Sequence, residues 1–321
     1  MRLSRQRREA EFEAIKYFHN EKKWSISWMC NALGVSRSGF YKWFHREKSN
    51  YENENEKLAE LIIEYDERFG HILGYRRMTI WINHFNHTNY GKKRVHRIMK
   101  KLNIHAHIRK KKKKNGVAAP EIVAENKLKR DFYADKPNTK WVTDITEFKV
   151  PDSKKKIYLS AILDLYDRSP VAYVISNVNN NKLVFDTYDK AIELYPDAKP
   201  LFHSDRGFQY TSCVFKDNIQ KQGMIQSMSR VGHCIDNGPV EGFWGIIKTE
   251  MYSMYKITDE KSLRDAINKY IKFYYEERIQ ERYDCKTPKE IREEALSGKT
   301  ERSYPISKNK RIEKYKEQWA S

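Results

Sequence analysis

The chain has no apolar run approaching the roughly 18 residues that a membrane span needs. Its first 30 residues carry too many charges for a secretory leader. Cysteine is scarce: Cys30, Cys213, Cys234 and Cys285 lie far apart and form no C-x-x-C pair. That argues against a disulfide framework or a zinc ribbon and fits a reducing cytoplasm. There is no G-x-x-x-x-G-K-[ST] segment and no convincing G-x-G-x-x-G, which argues against a nucleotide-driven motor. Internal repeats are lacking, as is any run of three or more heptads. His84, His87, His96, His105 and His107 lie near one another in sequence but without cysteine, so a zinc module has little support.

What remains is a chain of 321 residues, 39% hydrophobic and 33% charged, long enough for two or three units with cores of their own. The net charge is +19, and it is unevenly spread. Residues 1–130 hold 30 basic and 14 acidic side chains, a net +16, whereas 131–321 are nearly balanced. An excess of this kind supplies phosphate contacts through counterion release, so the N-terminal part is expected to bind nucleic acid.

Residues 5–20 carry Phe12, Ile15 and Phe18 at helical spacing. A short helix over Ser25–Leu33, broken by Gly34, and a third over Arg37–Arg46 capped by Ser36 follow the helix-turn-helix pattern. Arg37, Ser38, Tyr41 and Lys42 are the candidates for the major groove; a plain helical hairpin is the alternative. A charged helix over 52–67 and two more amphipathic helices in "GYRRMTIWINH" and "GKKRVHRIMKKLNI" form a second helical unit. There Lys92, Lys93, Arg94 and Arg97 are candidate DNA contacts, against ordinary surface lysines on a solvated helix. Arg109–Lys114 are six basic residues in succession, read as part of an extended linker over 109–138 that either lies along a phosphate backbone or stays solvated.

From residue 141 the texture changes. "WVTDITEFKV", "KIYLSAILDLYDR" and "VAYVISNV" are joined by short turns and predict an antiparallel meander. A helix over 182–194, a strand ending at Ser204, a helix over 213–222, the strand "MIQSMS" and a helix over 240–251 complete the order β-β-β-α-β-α-β-α. That order is the α/β ribonuclease-H-like one, a mixed five-stranded sheet with helices. The expected division is 1–50 and 51–108 for the helical units, 109–138 for the linker, 139–295 for the core and 296–321 for a charged tail.

Three acids stand out. Asp144 is mid-strand, where Asp is depleted. Asp205 follows a strand's C-terminal end, and Glu241 falls in the first turn of a helix opened by Pro239. Three carboxylates that converge would repel and titrate upward unless cations join them. With two Mg²⁺ ions, or Mn²⁺ in their place, they form a phosphoryl-transfer site made of hard oxygen ligands. Each acid also has a plain alternative. Asp205 can cap its turn, Asp144 can pair with Lys149 or Arg168, and Glu241 can simply favour a helix N-terminus. Asp164, Asp167 and Asp236 are rivals, with Asp164 expected to lie close behind the site. Lys248, two helical turns beyond Glu241, can hold a phosphate or be an exposed lysine. His203 can orient a carboxylate or be packed.

"WVTDITEF", "HSDRGFQY" and "SMSRVGHCIDNGPVEGFWGIIKTE" together resemble the catalytic core of IS-three family insertion-sequence transposases, relatives of retroviral integrases. The 35 residues between Asp205 and Glu241 match that family's D-D-35-E spacing, and Lys248 matches its basic residue seven positions on. "LGVSRSGFYKW", "GYRRM", "RVHRIMKKLNI" and "YYEERIQERYDCKTPKEI" extend the resemblance over residues 25–295. One departure is Glu276, placed at the usual Asn of the family's Y-N-x-x-R segment. The resemblance implies a DNA transposase with Asp144, Asp205 and Glu241 as metal-binding catalytic triad. On that resemblance it would cleave phosphodiesters at the element's terminal inverted repeats and transfer strands into target DNA, as a homo-oligomer in the cytoplasm at the nucleoid. It also implies that this chain is a second-frame product, working with or fused to an upstream-frame protein. A non-catalytic helix-turn-helix DNA-binding protein and a ribonuclease-H-like nuclease are the alternatives.

Overall fold

The structure, a computed structural model, describes residues 2–47, 49–107, 124–230 and 234–298, together with 312, 313 and 317. The Arg109–Lys114 run lies outside the described residues. The chain forms two compact units, Met1–Glu60 and Leu61–Ser321, which part inside a helix rather than at the expected linker.

In the first unit, α1 (Arg2–Lys22), α2 (Ile26–Ala32) and α3 (Arg37–Phe44) enclose a small core of Ile15, Met29, Cys30 and Phe40. The Ser36 hydroxyl accepts from the Gly39 N–H at 3.2 Å to cap α3, as the sequence predicts, and Ser25, read as part of α2, caps that helix instead. Gly34 takes φ +67 in the turn between them, a backbone that L side chains rarely adopt. The helix α4 (Asn50–Arg68) crosses from the first unit into the second.

The second unit opens with the end of α4, then α5 (Tyr75–Asn86) and α6 (Lys92–Lys101). In α5, Met78 to Ile82 are five successive buried residues. A helix enclosed on that many sides is packed into a core rather than laid on a surface. The helical segment and the sheet domain are accordingly one compact body. Gly70 shows how close the approach is. It has φ +56, and a Cβ there would stand 2.3 Å from the Ser253 carbonyl oxygen. Gly70→Ala is therefore expected to lower the melting midpoint by several degrees, on the order of 1–3 kcal/mol of strain; a variant that melts with the wild type would refute the close approach.

The sheet comprises β1 (Lys140–Lys149), β2 (Lys156–Asp164), β3 (Pro170–Ser176), β4 (Leu201–Ser204) and β5 (Ile225–Met228), in the order β3-β2-β1-β4-β5. The first three strands form the predicted antiparallel meander, while β4 and β5 add in parallel on the other side of β1. Helix α7 (Asn181–Leu194) and α8 (Cys213–Lys221) cover one face, where Trp141, Val184, Tyr188, Phe202 and Phe215 form the main core. Asn180 and Ser212 cap these two helices. Because side chains alternate along a strand, Asp144 and Phe148 point to the face opposite Trp141 and Ile145. On Asp144's face lies α9 (Gly238–Met254), followed by α10 (Glu260–Glu276) and α11 (Pro288–Leu296). Capping boxes Asp259/Ser262 and Thr287/Glu290 start the last two helices. The architecture is the ribonuclease-H-like α/β core expected from the element order, preceded by helical segments.

Candidate active site

The register of β1 against β4 builds the site. Thr143 pairs with Ser204 across the parallel ladder, so the next residue on each chain, Asp144 and Asp205, falls beside the other at the end of β4. The edge of a sheet just beyond a parallel strand's carboxyl end is where a crevice opens. Asp144 Oδ1 accepts from the Ile145 N–H at 2.8 Å and Oδ2 from the Trp244 indole N–H at 2.9 Å. Asp205 Oδ1 accepts from the Gly207 N–H at 2.9 Å, closing a tight turn. Thus the turn-capping role considered for Asp205 is real, and it leaves the carboxylate at the crevice. The turn packs closely around Gly207: a Cβ would meet Gln209 Oε1 at 2.9 Å and Asp205 Oδ1 at 3.1 Å.

Neither of the cations weighed for Asp144 reaches it. Burial, then the charges of Asp205 and Glu241, push Asp144 up to about 7, and burial also raises Asp205. Glu241 sits in the first turn of α9, exposed at the rim, and its charge acts on Asp144. Asn237 anchors the start of that helix by donating its Nδ2 to the Thr143 carbonyl at 2.9 Å, next to Asp144. The Asn237 Oδ1 is buried with no hydrogen-bond partner. Lys248, farther along α9, lies over the Phe148 ring at 5.4 Å, and Glu147 feels its charge. Among the described residues, no three His, Cys, Asp or Glu side chains are gathered closely enough to hold an ion. The pair Asp144–Asp205 nevertheless suits a hard divalent cation: oxygen donors only, partly sheltered, with mutual repulsion that a cation relieves.

The rival acids are spoken for. Asp164 closes β2 opposite Trp141, three register steps from Asp144's partner Ala161, so it does not stand behind the site as expected. It is buried with Asp167 against Arg292 of α11, at 2.7 and 2.6 Å. This clamp ties the β2–β3 turn to the C-terminal helix. Asp236 is buried between Arg130 at 2.5 Å and Arg230 at 2.9 Å, which hold its carboxyl down to about 2. It fixes the segment ahead of β1 to the entry of α9. His203 is packed between Ser227 and Ser229 at 2.9 and 3.2 Å, and burial pushes it down to about 4, so it is a neutral core histidine.

A third buried cluster was not foreseen. Glu250 of α9 accepts from Arg278 at 2.9 Å through both carboxylate oxygens, from Arg77 of α5 at 2.7 Å and from the Tyr270 hydroxyl at 2.8 Å. Arg278 is the arginine of the Y-N-x-x-R segment. Counting back from it, the Asn position falls on Tyr275, not on Glu276, which correctly belongs to a variable position. Among the described residues, Glu276 makes only long surface pairs with Lys272 and Lys289, at 3.9 and 4.0 Å. Trp244 and Glu250 both escaped sequence reasoning. The available signal was their spacing from Glu241, three and nine residues on, but nothing local says what they touch.

The candidate DNA contacts lie on two helices, each described within its own unit. On α3, Arg37, Ser38 and Lys42 are exposed, while Tyr41 is half-buried with Arg37 over its ring at 5.7 Å. On α6, Lys92, Lys93 and Arg97 are exposed, and Arg94 is half-buried over the Tyr90 ring at 5.2 Å. Val95, Ile98 and Met99 face the interior, which turns the basic side outward.

With this geometry, the chain is a helical segment followed by an integrase-type core, and comparison with known proteins agrees. Models of the integrase core domain match residues 134–234 and 241–296, and that of an HTH-like domain matches 52–112. The chain is 34% identical over 269 residues to the putative transposase InsK for insertion sequence element IS150 of Escherichia coli, covering 82% of this chain and 92% of that protein. It is 28% identical over 270 residues to the E. coli transposase InsF for insertion sequence IS3A, covering 81% and 92%. Among solved structures, it is similar to the HTLV-2 integrase catalytic core domain in complex with magnesium, at 23% identity and TM-score 0.39, covering 49% of this chain and 97% of that one. The chain belongs to the IS3 (IS-three) family of insertion-sequence transposases, with its DDE-type integrase core. No helix among the described residues is long and apolar enough to cross a membrane.

Proposed function

We propose that this protein is a DNA transposase that cleaves and joins phosphodiesters at the ends of its insertion sequence, with Asp144, Asp205 and Glu241 as the catalytic triad. The observation that carries the reading is the placing of Asp144 beside Asp205, one residue past the last β1–β4 pair Thr143–Ser204, with Asp144 raised to about 7 by burial and by its acidic neighbours. Asp236 and Glu250 are instead neutralised by arginines and held down to about 2, and the buried Asp164, raised to about 6 by burial and by Asp167, still has the Arg292 guanidinium against it. Two sheltered carboxylates, Asp144 and Asp205, that stand together and are both raised are a strained arrangement that function, not stability, explains.

Mg²⁺, or Mn²⁺ in its place, held by these carboxylates as two ions would activate the attacking oxygen and stabilise the leaving one. The chain's own part is positional. The strand register sets Asp144 against Asp205. Asn237 fixes the start of α9, and that helix brings Glu241 to the rim. Lys248 adds positive charge along the same helix, suited to a phosphate of the bound strand. Arg37, Ser38, Tyr41 and Lys42 on α3, and Lys92, Lys93, Arg94 and Arg97 on α6, are the proposed contacts to double-stranded DNA, the terminal inverted repeats and the target. Bringing two ends together requires at least two copies in the working complex. An upstream-frame protein is a further proposed partner.

The test is Mn²⁺-dependent nicking of a supercoiled plasmid. Wild type is expected to nick, and Asp205→Asn to lose at least 100-fold in rate while binding DNA as before. Equal nicking by the two proteins would remove Asp205 from the site. A joining assay with labelled element ends then separates a transposase from a nuclease of the same fold.

A further inference from the structure

Asp144 has a partner that no sequence pattern indicated. The Trp244 indole N–H donates to Asp144 Oδ2 at 2.9 Å, while Oδ1 takes the Ile145 N–H at 2.8 Å. A carboxylate oxygen accepts about two hydrogen bonds or ligands, so each Asp144 oxygen keeps capacity for one more. The indole N–H is a donor only and cannot itself ligate a cation. Trp244 is 6% exposed and packs against Phe243, whose ring centroid is 5.2 Å away. Its ring is therefore held by packing, and its one polar atom is spent on the carboxylate. It stands three residues after Glu241 on α9, on the same side of the helix. One helix thus carries a candidate ligand and the group that orients another candidate ligand on β1.

We propose that Trp244 is a positioning residue for divalent-cation binding. Its N–H holds the Asp144 carboxylate in a single orientation and so sets the affinity of the site. The inference rests on the metal-site reading of Asp144 above. Outer partners of this kind typically change metal affinity by 10- to 100-fold when removed. Asn237 acts on the backbone beside Asp144, so Trp244 is the side chain that addresses the carboxylate itself.

The experiment is Mn²⁺ titration of the full chain, read by the electron-paramagnetic-resonance signal of free Mn²⁺, beside the melting midpoint without metal. The proteins are wild type, Asp144→Asn, Trp244→Phe and Trp244→His. Trp244→Phe keeps the ring and removes the donor. It is expected to bind Mn²⁺ about 10- to 100-fold more weakly, with a metal-free midpoint close to wild type. Trp244→His returns a ring N–H and is expected to recover at least threefold of the loss. Binding by a folded Trp244→Phe within threefold of wild type overturns the role of Trp244. If the Phe variant does not fold, Trp244→His decides: affinity near wild type supports the role, and affinity as low as that of Asp144→Asn overturns it. Failure of the underlying reading looks different. Wild type would then bind no Mn²⁺, or Asp144→Asn would bind it undiminished.

Discussion

Asp144→Asn is expected to make the metal-free protein more stable at pH 8 and to abolish its stabilisation by divalent cations. Asp144 rises from the ordinary 3.8 to about 7 in the fold, by burial first and then by the charges of Asp205 and Glu241. A group whose folded value is raised contributes stability that is full below about 3.8 and is lost as pH rises through about 7. At pH 8 the ionised Asp144 therefore costs up to roughly 4 kcal/mol, at 1.36 kcal/mol per unit. Asn removes that charge. Part of the gain is returned, since one amide cannot accept both the Ile145 and the Trp244 hydrogen bonds as a carboxylate does. At about 2–4 °C per kcal/mol for a body of this size, the midpoint should rise by several degrees at pH 8.

At pH 5 the folded Asp144 is protonated but the unfolded carboxyl is already ionised, so the gap between the two proteins should narrow to roughly 1–2 kcal/mol and close only below about 3.8. Thermal melts in EDTA at the two pH values check this, and a variant that melts lower than wild type at pH 8 would refute the repulsion. Added Mn²⁺ should stabilise wild type by about 2.7 kcal/mol at a hundredfold excess over Kd, and so raise its midpoint. It should leave Asp144→Asn unmoved, since binding works by relieving the same carboxylates.

Glu250→Gln should have the opposite sign and a larger size. Glu250 is buried and engages Arg278 twice, Arg77 and Tyr270. Burial alone would raise it, but the arginines prevail and hold it down to about 2. Its contribution is therefore present above about 4.5 and is lost as pH falls toward about 2. A neutral Gln leaves two guanidiniums without their countercharge in the interior. Breaking a buried pair in that way costs about 3–5 kcal/mol. The midpoint at pH 7 should fall by on the order of 10 °C, and the deficit should shrink as wild type is acidified below pH 4. A midpoint within 2 °C of wild type at pH 7 would show that the cluster is not holding the body together. Because Glu250 and Glu241 share α9, the variant should also lose nicking activity near its own melting range before wild type does.

The chain's local chemistry accounts for most of the elements. β-branched and aromatic runs mark β1 to β3, short turns dictate their antiparallel pairing, and Ser36 and Gly34 delimit α2 and α3, all from neighbours a few residues apart. Asp144, Asp205 and Glu241 were likewise visible as candidates, because an acid in or just after a strand is conspicuous and the 35-residue interval is a matter of counting. The exposed Arg37, Ser38 and Lys42 on α3 and the basic face of α6 follow from periodicity alone, whereas Tyr41 is half-buried.

Long-range partners were not legible, since a charge carries no local record of what will neutralise it. Asp164, expected to lie close behind the site, is instead claimed by Arg292, 128 residues away. Asp236, Glu250 and His203 were decided in the same way, by what packs around them. The burial of α5 was hidden because its pattern is that of an amphipathic helix, and only the sheet domain's helices reveal that it has neighbours on more than one side. Sequence alone determined the strands, the helices up to α9 and the Ser36 cap, because those preferences act over one to four residues. The tertiary structure alone decided which carboxylates are neutralised and which pair is left to repel, because that depends on desolvation and on charges brought together across a hundred residues or more.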